Sequence, residues 1–260
     1  MSQSSQPTAA MLVIGDEILS GRTKEANAGH LAEVLTEIGV ALQEIRVVPD
    51  QAERIVEAVQ ALSERFDLVF TSGGIGPTHD DTTADAVAAA FGRPIDVRED
   101  AHAILREHYG DGEINEARLR MARIPDGAEL ILNPVSRAPG FIIENVHVMA
   151  GVPIIFQAML AGLRSELKGG PPTLTWSLRS LVPEGDLAEA LAEIDAAHPA
   201  ISIGSYPFFK PAPEGGRGQG QVGANLVLRG TDREALETAA AAVRALLAER
   251  GVEVEETPPG

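Results

Sequence analysis

Along the first third of the chain, short apolar runs alternate with segments whose apolar residues recur every three or four positions. Ala10 to Gly15 is a strand candidate. Asn27 to Ile38 carries Ala28, Leu31, Ala32, Leu35 and Ile38 on one helical stripe, closed by Gly39. Leu42 to Val48 is a second strand, broken at Pro49-Asp50. Ile55, Ala58, Val59 and Leu62 mark the next helix, and Leu68 to Phe70 a third strand. This β-α-β-α-β order predicts an α/β fold: a mostly parallel sheet with right-handed crossovers and helices on its faces. A further helix is expected over Thr83 to Phe91.

The pattern then loosens. Glu99 to about Met121 reads as one helical stretch anchored by Ile104, Leu105, Leu119 and Met121. Glu129 to Leu132 is a strand, and Phe141 to Ile143 with Val146 to Met149 form a hairpin turning at Glu144-Asn145. Ile154 to Leu167 is helical. Gly169-Gly-Pro-Pro172 is a linker signal. Beyond it come strands at Leu174 to Val182, Ala200 to Ser205, Asn225 to Arg229 and Val252 to Glu255, with helices at Asp186 to Ala196 and Arg233 to Arg250. That order predicts a small α+β domain with its helices on one side of the sheet. The expected organisation is a tail over 1–9, domains over 10–168 and 172–255, and a tail over 256–260. Lys210 to Gly223, rich in Pro, Gly and Gln, is a mobile-loop candidate. The acidic, Pro-rich segment from Glu253 to Gly260 reads as a disordered tail.

Ligands of parallel sheets gather beyond the carboxyl ends of the strands. Gly15-Asp16-Glu17, Pro49-Asp50 and Thr71 to Asp81 each follow a strand, so all three belong on one rim. The last is the richest in chemistry: Ser72-Gly-Gly-Ile-Gly-Pro-Thr-His-Asp-Asp-Thr-Thr83. Its glycines can bring bare backbone close to a ligand, and the helix start at Thr83 favours an anion. Asp80 and Asp81 would repel that anion unless a cation met them. The combination points to a phosphorylated small molecule handled with a divalent metal such as Mg²⁺. The competing reading is a structural turn with Asp81 or Thr82 as helix N-cap. No Gly-Lys-Ser/Thr follows the glycines and their spacing is not GxGxxG, so this is neither a Walker loop nor a dinucleotide fingerprint.

Composition narrows the partners. The chain has 260 residues, 44% hydrophobic and 23% charged, which suits one large domain or two small ones. A net charge of −17 argues against nucleic acid, which needs a basic face. There is no cysteine, so disulfides and thiolate chemistry are excluded, and a cytoplasmic protein is expected. Met1 to Ala10 lacks the features of a signal peptide, and no apolar run is long enough to span a membrane.

Several segments in order resemble the molybdopterin-binding superfamily (the MoCF or MogA-like type), with closest likeness to the N-terminal part of the competence/damage-inducible CinA family. They are Ile14-Gly-Asp-Glu-Ile-Leu-Ser-Gly21, Asn27, Val48-Pro-Asp50, the Ser72 to Thr83 loop, Ile124-Pro-Asp-Gly-Ala128, Asn133-Pro134, Ala138-Pro-Gly140 and Gly151-Val-Pro153. The resemblance covers residues 10–167, and 172–255 look like the KH-like domain that follows in that family. It implies a three-layer α/β/α sandwich that binds molybdopterin or its adenylylated form. In the CinA branch it implies a metal-dependent hydrolase splitting the pyrophosphate of ADP-ribose-like nucleotides, and a related domain occurs in FAD synthase. The alternative is a non-catalytic carrier or sensor of a pterin or adenine nucleotide.

Carried over by the resemblance, Asp81 and Asp50 are the catalytic acids, and the paired carboxylates of Asp80 and Asp81 are the candidate metal ligands. Ser72, Gly73, Gly74, Gly76, Thr78, Asp16, Glu17, Asn27, Asn133 and Gly151 are ligand-binding candidates. Two departures matter. Ser136-Arg137 replaces the usual Gly-Thr, which makes Arg137 a candidate phosphate-binding cation. Ile155 stands where a glutamate is usual, removing a carboxylate. No segment like the amidohydrolase domain of CinA follows residue 255, so deamidation is not implied. His79 reads as a surface residue. Tyr206, Phe208 and Phe209 read as domain core or interface before base-stacking. Residues 171–260 hold seven Lys/Arg against thirteen Asp/Glu, so the KH-like part is expected to serve homo-oligomerisation or interdomain contact, not RNA.

Overall fold

Strand β1 (Thr8–Ile14) is an interior strand of a six-stranded sheet and is buried on both faces, which is why it reads as an unbroken apolar run. The computed structural model describes residues 6–110, 114–210 and 221–259, and the chain divides into two units between Gly170 and Pro171. In the first unit β1 is followed by α1 (Asp16–Leu19), α2 (Asn27–Glu37), β2 (Ala41–Val48), α3 (Ala52–Arg65), β3 (Leu68–Ser72) and α4 (Thr83–Ala90). Then come β4 (Ile95–Val97), α5 (Glu99–Tyr109), α6 (Glu116–Arg120), β5 (Arg123–Pro125), β6 (Glu129–Ile131), β7 (Gly140–Ile143), β8 (Val146–Met149) and α7 (Pro153–Leu163).

The large sheet has the order β2-β1-β3-β8-β7-β6. β1 is parallel to β2 and β3, β3 is parallel to β8, and only β7 runs against its neighbours. Alternate residues of β1 feed two separate cores. Ala10, Leu12 and Ile14 join Ile55, Val59 and Leu62 of α3, Val87 of α4 and Leu105 of α5. Ala9, Met11 and Val13 join Leu31 and Leu35 of α2 and Phe156, Met159 and Leu160 of α7. The result is the three-layer α/β/α sandwich.

The second unit contains β9 (Leu174–Ser180), α8 (Ala188–Ala197), β10 (Ser202–Lys210), β11 (Gln221–Gly230), α9 (Arg233–Glu249) and β12 (Val254–Thr257). Its antiparallel sheet, β10-β11-β9-β12, puts Leu178, Leu226 and Leu228 in one core with Leu236, Val243 and Leu247 of α9. This is the expected α+β arrangement.

Several boundaries differ from the sequence reading. The single helical stretch over Glu99 to Met121 is two helices, because Gly110 ends α5 at φ +87°. Asn115 starts α6 afresh, its side chain accepting from Arg118 N at 2.9 Å. The β4–β5 ribbon was not legible, since its three-residue strands carry no periodicity. β1 begins at Thr8, inside the expected tail, because the Asp67 carboxylate accepts from Thr8 N at 2.7 Å and Oγ1 at 2.8 Å. At the other end β12 extends to Thr257 by pairing with β9, and Glu256 accepts from Arg244 Nε at 2.6 Å. Tyr206 and Phe209 are not core, being 49% and 66% exposed. Phe208 lies under the Arg179 guanidinium at 4.2 Å. Of the expected mobile loop over Lys210 to Gly223, residues 211–220 lie outside the described residues, whereas Lys210 ends β10 and Gln221 to Gly223 begin β11, paired strand to strand. No helix among the described residues is long and apolar enough to cross a membrane.

His147 in β8 is buried and stacked on Phe70 at 4.8 Å. Burial holds its pKa below the ordinary 6.5, with the Val69 and Asn145 backbone opposing weakly. The unfolded chain therefore takes up this proton first, and stability falls as pH drops below about 6.5. We expect His147→Phe to lose less of its urea midpoint between pH 7 and pH 5 than the parent. An equal loss would assign the acid sensitivity to other groups.

Candidate functional site

Because β1, β2 and β3 are parallel, the loops after them leave the sheet on one edge. Backbone hydrogen bonds then stitch those loops together. Gly15 N donates to Val48 O at 3.1 Å, and Asp16 N donates to Asp50 Oδ2 at 2.8 Å. Gly73 N donates to Met149 O at 3.2 Å. Beneath them Asn27, at the start of α2, donates from Nδ2 to Ser72 Oγ and to Gly151 O, both at 2.8 Å. Gly73 has φ +110°, and a Cβ there would collide with the Ile14 carbonyl oxygen. Gly74 has φ +67°, and a Cβ there would strike the Thr83 hydroxyl. Only glycine fits at either position.

Above this edge opens a cavity of about 620 Å³, within the range typical of small-molecule sites. Of the sequence candidates, Glu17, Asp50, Gly73, Gly74, Gly76, Asp80, Asp81, Asn133 and Gly151 lie on its wall. Ser72 and Asn27 lie below it, each almost fully buried, and support the wall instead of facing it. Asp16 and Thr78 are also off the wall: Asp16 through its amide holds Asp50, and Thr78 holds Asp81. Arg137 is not brought to the cavity. It adopts φ +63° and pairs with Glu107 at 3.2 Å.

The loop chemistry is also redistributed. The Gly73 amide is engaged by Met149, so it is not open to a phosphate. The amides of Gly74, Ile75 and Gly76 make no hydrogen bond among the described residues and are the ones a ligand can use. Asp81 does not cap α4: its Oδ2 accepts from Thr78 N at 2.8 Å and Thr78 Oγ1 at 2.6 Å. Thr82, the N-cap residue, makes no side-chain cap bond either. The start of α4 is anchored from inside instead, with Thr83 N donating to Gly74 O at 3.0 Å and Thr83 Oγ1 to Gly73 O at 3.0 Å.

Charge accumulates on one side of the cavity. Burial raises the pKa of the Asp50 carboxyl, the Asp16 amide opposes this, and the nearby negative charges of Glu17, Asp16 and Asp80 add to the rise. No group of three or more acids or histidines converges as a metal cage among the described residues. The donor set still fits Mg²⁺, which takes hard oxygens, holds on to its waters and is commonly bound by one or two carboxylates plus ligand phosphates.

The sequence reading missed two residues on the wall, Tyr109 and Arg118. They come from α5 and α6, and the Arg118 guanidinium lies 4.2 Å from the Tyr109 ring centroid. No motif marks them, since they come from two separate helices that the sequence pattern reads as one. Ile155 also lies on the wall, so the position of the usual glutamate faces the cavity with an apolar side chain.

Residues 10–168 match the family described as probable molybdopterin binding domain, and residues 172–256 match the middle domain of FAD synthase. A protein from Pyrobaculum calidifontis is 37% identical over 212 residues, covering 77% of this chain and 81% of that one. One from Aeropyrum pernix is 35% identical over 212 residues, covering 77% and 79%. The crystal structure of the protein CinA, of unknown function, from Thermoplasma acidophilum superposes with a TM-score of 0.59 at 35% identity. It covers 63% of this chain and 99% of that one.

Two outcomes follow from the geometry. Asn27→Ala removes one buried and one partly buried hydrogen bond and takes that donor from Ser72 and Gly151, a loss of about 2 kcal/mol measurable by urea denaturation. Asp50→Asn keeps an acceptor for the Asp16 amide but removes a repelled charge. Because the folded pKa of Asp50 is raised, its ionised form destabilises the fold as pH rises. We expect the Asn variant to melt higher than the parent at pH 7 in chelator, with the gap closing in millimolar Mg²⁺. A lower melting point in chelator would contradict the repulsion.

Proposed function

The chain belongs to the family of probable molybdopterin-binding domains, and from that premise we propose that its first unit binds a phosphorylated pterin or adenine nucleotide and hydrolyses the pyrophosphate of ADP-ribose-type ligands with a divalent metal. One observation carries the reading: the carboxylates of Glu17, Asp50, Asp80 and Asp81 share a cavity with the open amides of Gly74, Ile75 and Gly76. Oxygen ligands for a cation and donors for an anion on one wall suit a metal-bound phosphate.

Asp81 and Asp80 are the residues that would hold Mg²⁺. When bound, the metal supplies charge neutralisation and polarises the phosphoryl group. Thr78 orients Asp81 by two hydrogen bonds to one oxygen. The Gly74 to Gly76 amides hold non-bridging phosphate oxygens and favour the added negative charge of the transition state. Asp50, whose raised pKa makes it the stronger base, accepts a proton from the attacking water. The water oxygen bonds to phosphorus as the bridging P–O bond breaks, giving two phosphate monoesters. Ile75, Met121 and Pro153 add apolar side chains to the wall, which suits the ring system of such a ligand.

A carrier or sensor role has its own supporting observation, Ile155 on the wall in place of a carboxylate. Turnover decides between the two. We expect release of AMP from ADP-ribose with Mg²⁺, Mn²⁺ or Co²⁺, and a loss of roughly 10²-fold or more in kcat for Asp81→Asn. Calorimetric binding of ADP-ribose without turnover under all three metals would leave the carrier role. Absence of binding to ADP-ribose, FAD and molybdopterin alike would overturn both.

A further inference from the structure

We propose, independently of the function above, that β2 pairs with β2 of a second copy of this chain and joins two six-stranded sheets into one. The large sheet ends at β2, which has β1 as its partner among the described residues. An open strand edge is a template for another chain, and folds normally guard it with lysine, proline or a bulge. Ala41 to Val48 reads Ala-Leu-Gln-Glu-Ile-Arg-Val-Val, with neither lysine nor proline. A register shift lies at Ala9/Ala10, opposite the step from Leu42 to Glu44. Beyond it, Glu44 to Val48 runs in unbroken register with β1.

The Val48 carbonyl accepts from Gly15 N and so faces β1. Successive residues of a strand turn their backbone groups to opposite sides, so Ile45 and Val47 present theirs to the open edge. Their side chains are apolar yet 50% and 37% exposed. They share a face with Met11 and Val13, their register partners in β1. Glu44 and Arg46 share the opposite face with Ala10 and Leu12.

Charge selects both the partner and the register. A second copy running antiparallel about a twofold axis at Ile45 sets Ile45 opposite Ile45 and Glu44 of each copy opposite Arg46 of the other. The two Ile45 residues then exchange both backbone hydrogen bonds. The Glu44–Arg46 pairs take the closely spaced positions, about 4.5 Å between Cα atoms. Moving the axis to Arg46 or to Glu44 sets like charges opposite each other. Moving it to Val47 sets Ile45 against Pro49, which has no N–H to offer. Within one copy Glu44 holds Arg46 at 2.6 Å and Arg65 at 3.4 Å, so the joined sheet places each carboxylate among cations of both copies. Ile45 and Val47 of both copies line the other face. Because the copies run antiparallel, their cavities lie at opposite ends of the joined sheet, and each keeps the walls of its own chain.

The test is sedimentation of the full chain over a concentration series. It compares the parent, Ile45→Lys, Glu44→Arg, Arg46→Glu and the double variant with both charge changes, with thermal melts to establish folding. We expect the parent to form a dimer as concentration rises, and the dissociation constant to increase about tenfold or more in each single variant. The double variant should regain the dimer. An equimolar mixture of the Glu44→Arg and Arg46→Glu proteins should form a heterodimer, since their charges are complementary in this register. In the parent, the Ile45 and Val47 amides should exchange with deuterium more slowly at high concentration. A parent that stays monomeric, a dimer that survives Ile45→Lys, or single variants whose mixture stays monomeric would overturn the inference. Exchange at those two amides that ignores concentration would overturn it as well, whatever the variants do. All of these outcomes leave the proposed function to its own turnover test.

Discussion

Three backbone segments converge on Gly73 with no room for a side chain. The Ile14 carbonyl lies on one side, Gly151 approaches on another, and the chain itself turns at φ +110° to reach Gly74. A Cβ on Gly151 would sit only 3.1 Å from the Gly73 Cα. This crowding joins the ends of β1, β3 and β8 into one edge. Asn27 locks it from beneath by bridging Ser72 and Gly151. Everything that faces the cavity is placed relative to that junction. The Gly73 amide is held by Met149 O, while those of Gly74, Ile75 and Gly76 on the cavity wall make no hydrogen bond among the described residues. Asp81 Oδ2 accepts from Thr78, and Thr83 is tied to Gly73 and Gly74.

That rigidity allows an electrostatic arrangement the fold would otherwise relax. Asp50 is kept beside Glu17, Asp16 and Asp80 by its bond to the Asp16 amide, although burial and like charge both oppose its ionisation. Surface carboxylates on mobile loops would move apart in water. Here the parallel strands deliver them to the same edge, and the bonds from Gly15 N to Val48 O and from Gly73 N to Met149 O tie the loops that carry them. Repulsion stored in this way is relieved by a cation or by a proton. Both would matter to a site that handles phosphate esters.

Family membership and the residues on the wall bear on different questions. The match over residues 10–168 identifies the ligand-binding fold, whereas chemistry depends on which side chains that fold presents. Ile155 gives one part of the wall an apolar side chain, and the Arg118 guanidinium lies 4.2 Å from the Tyr109 ring centroid. The second unit, with its antiparallel sheet and single core, folds around contacts of its own.

The sequence by itself determined the layer architecture. β1 shows its two buried faces as an uninterrupted apolar run, and α2, α3 and α9 show theirs as stripes, because burial of a regular element imprints its own period on the chain. It also placed Glu17, Asp50 and the glycine loop on one rim, since parallel strands leave their carboxyl ends together. Tertiary structure alone decided which of those groups face the cavity. Asn27 and Ser72 turned out to be supports, the Gly73 amide was engaged by Met149, and Arg137 pointed to Glu107. It alone brought Arg118 onto Tyr109, across a helix break that Gly110 makes and periodicity does not reveal. Periodicity reports how an element is buried. The direction of a single side chain beyond the end of a strand depends on partners distant in sequence, and no local pattern records them.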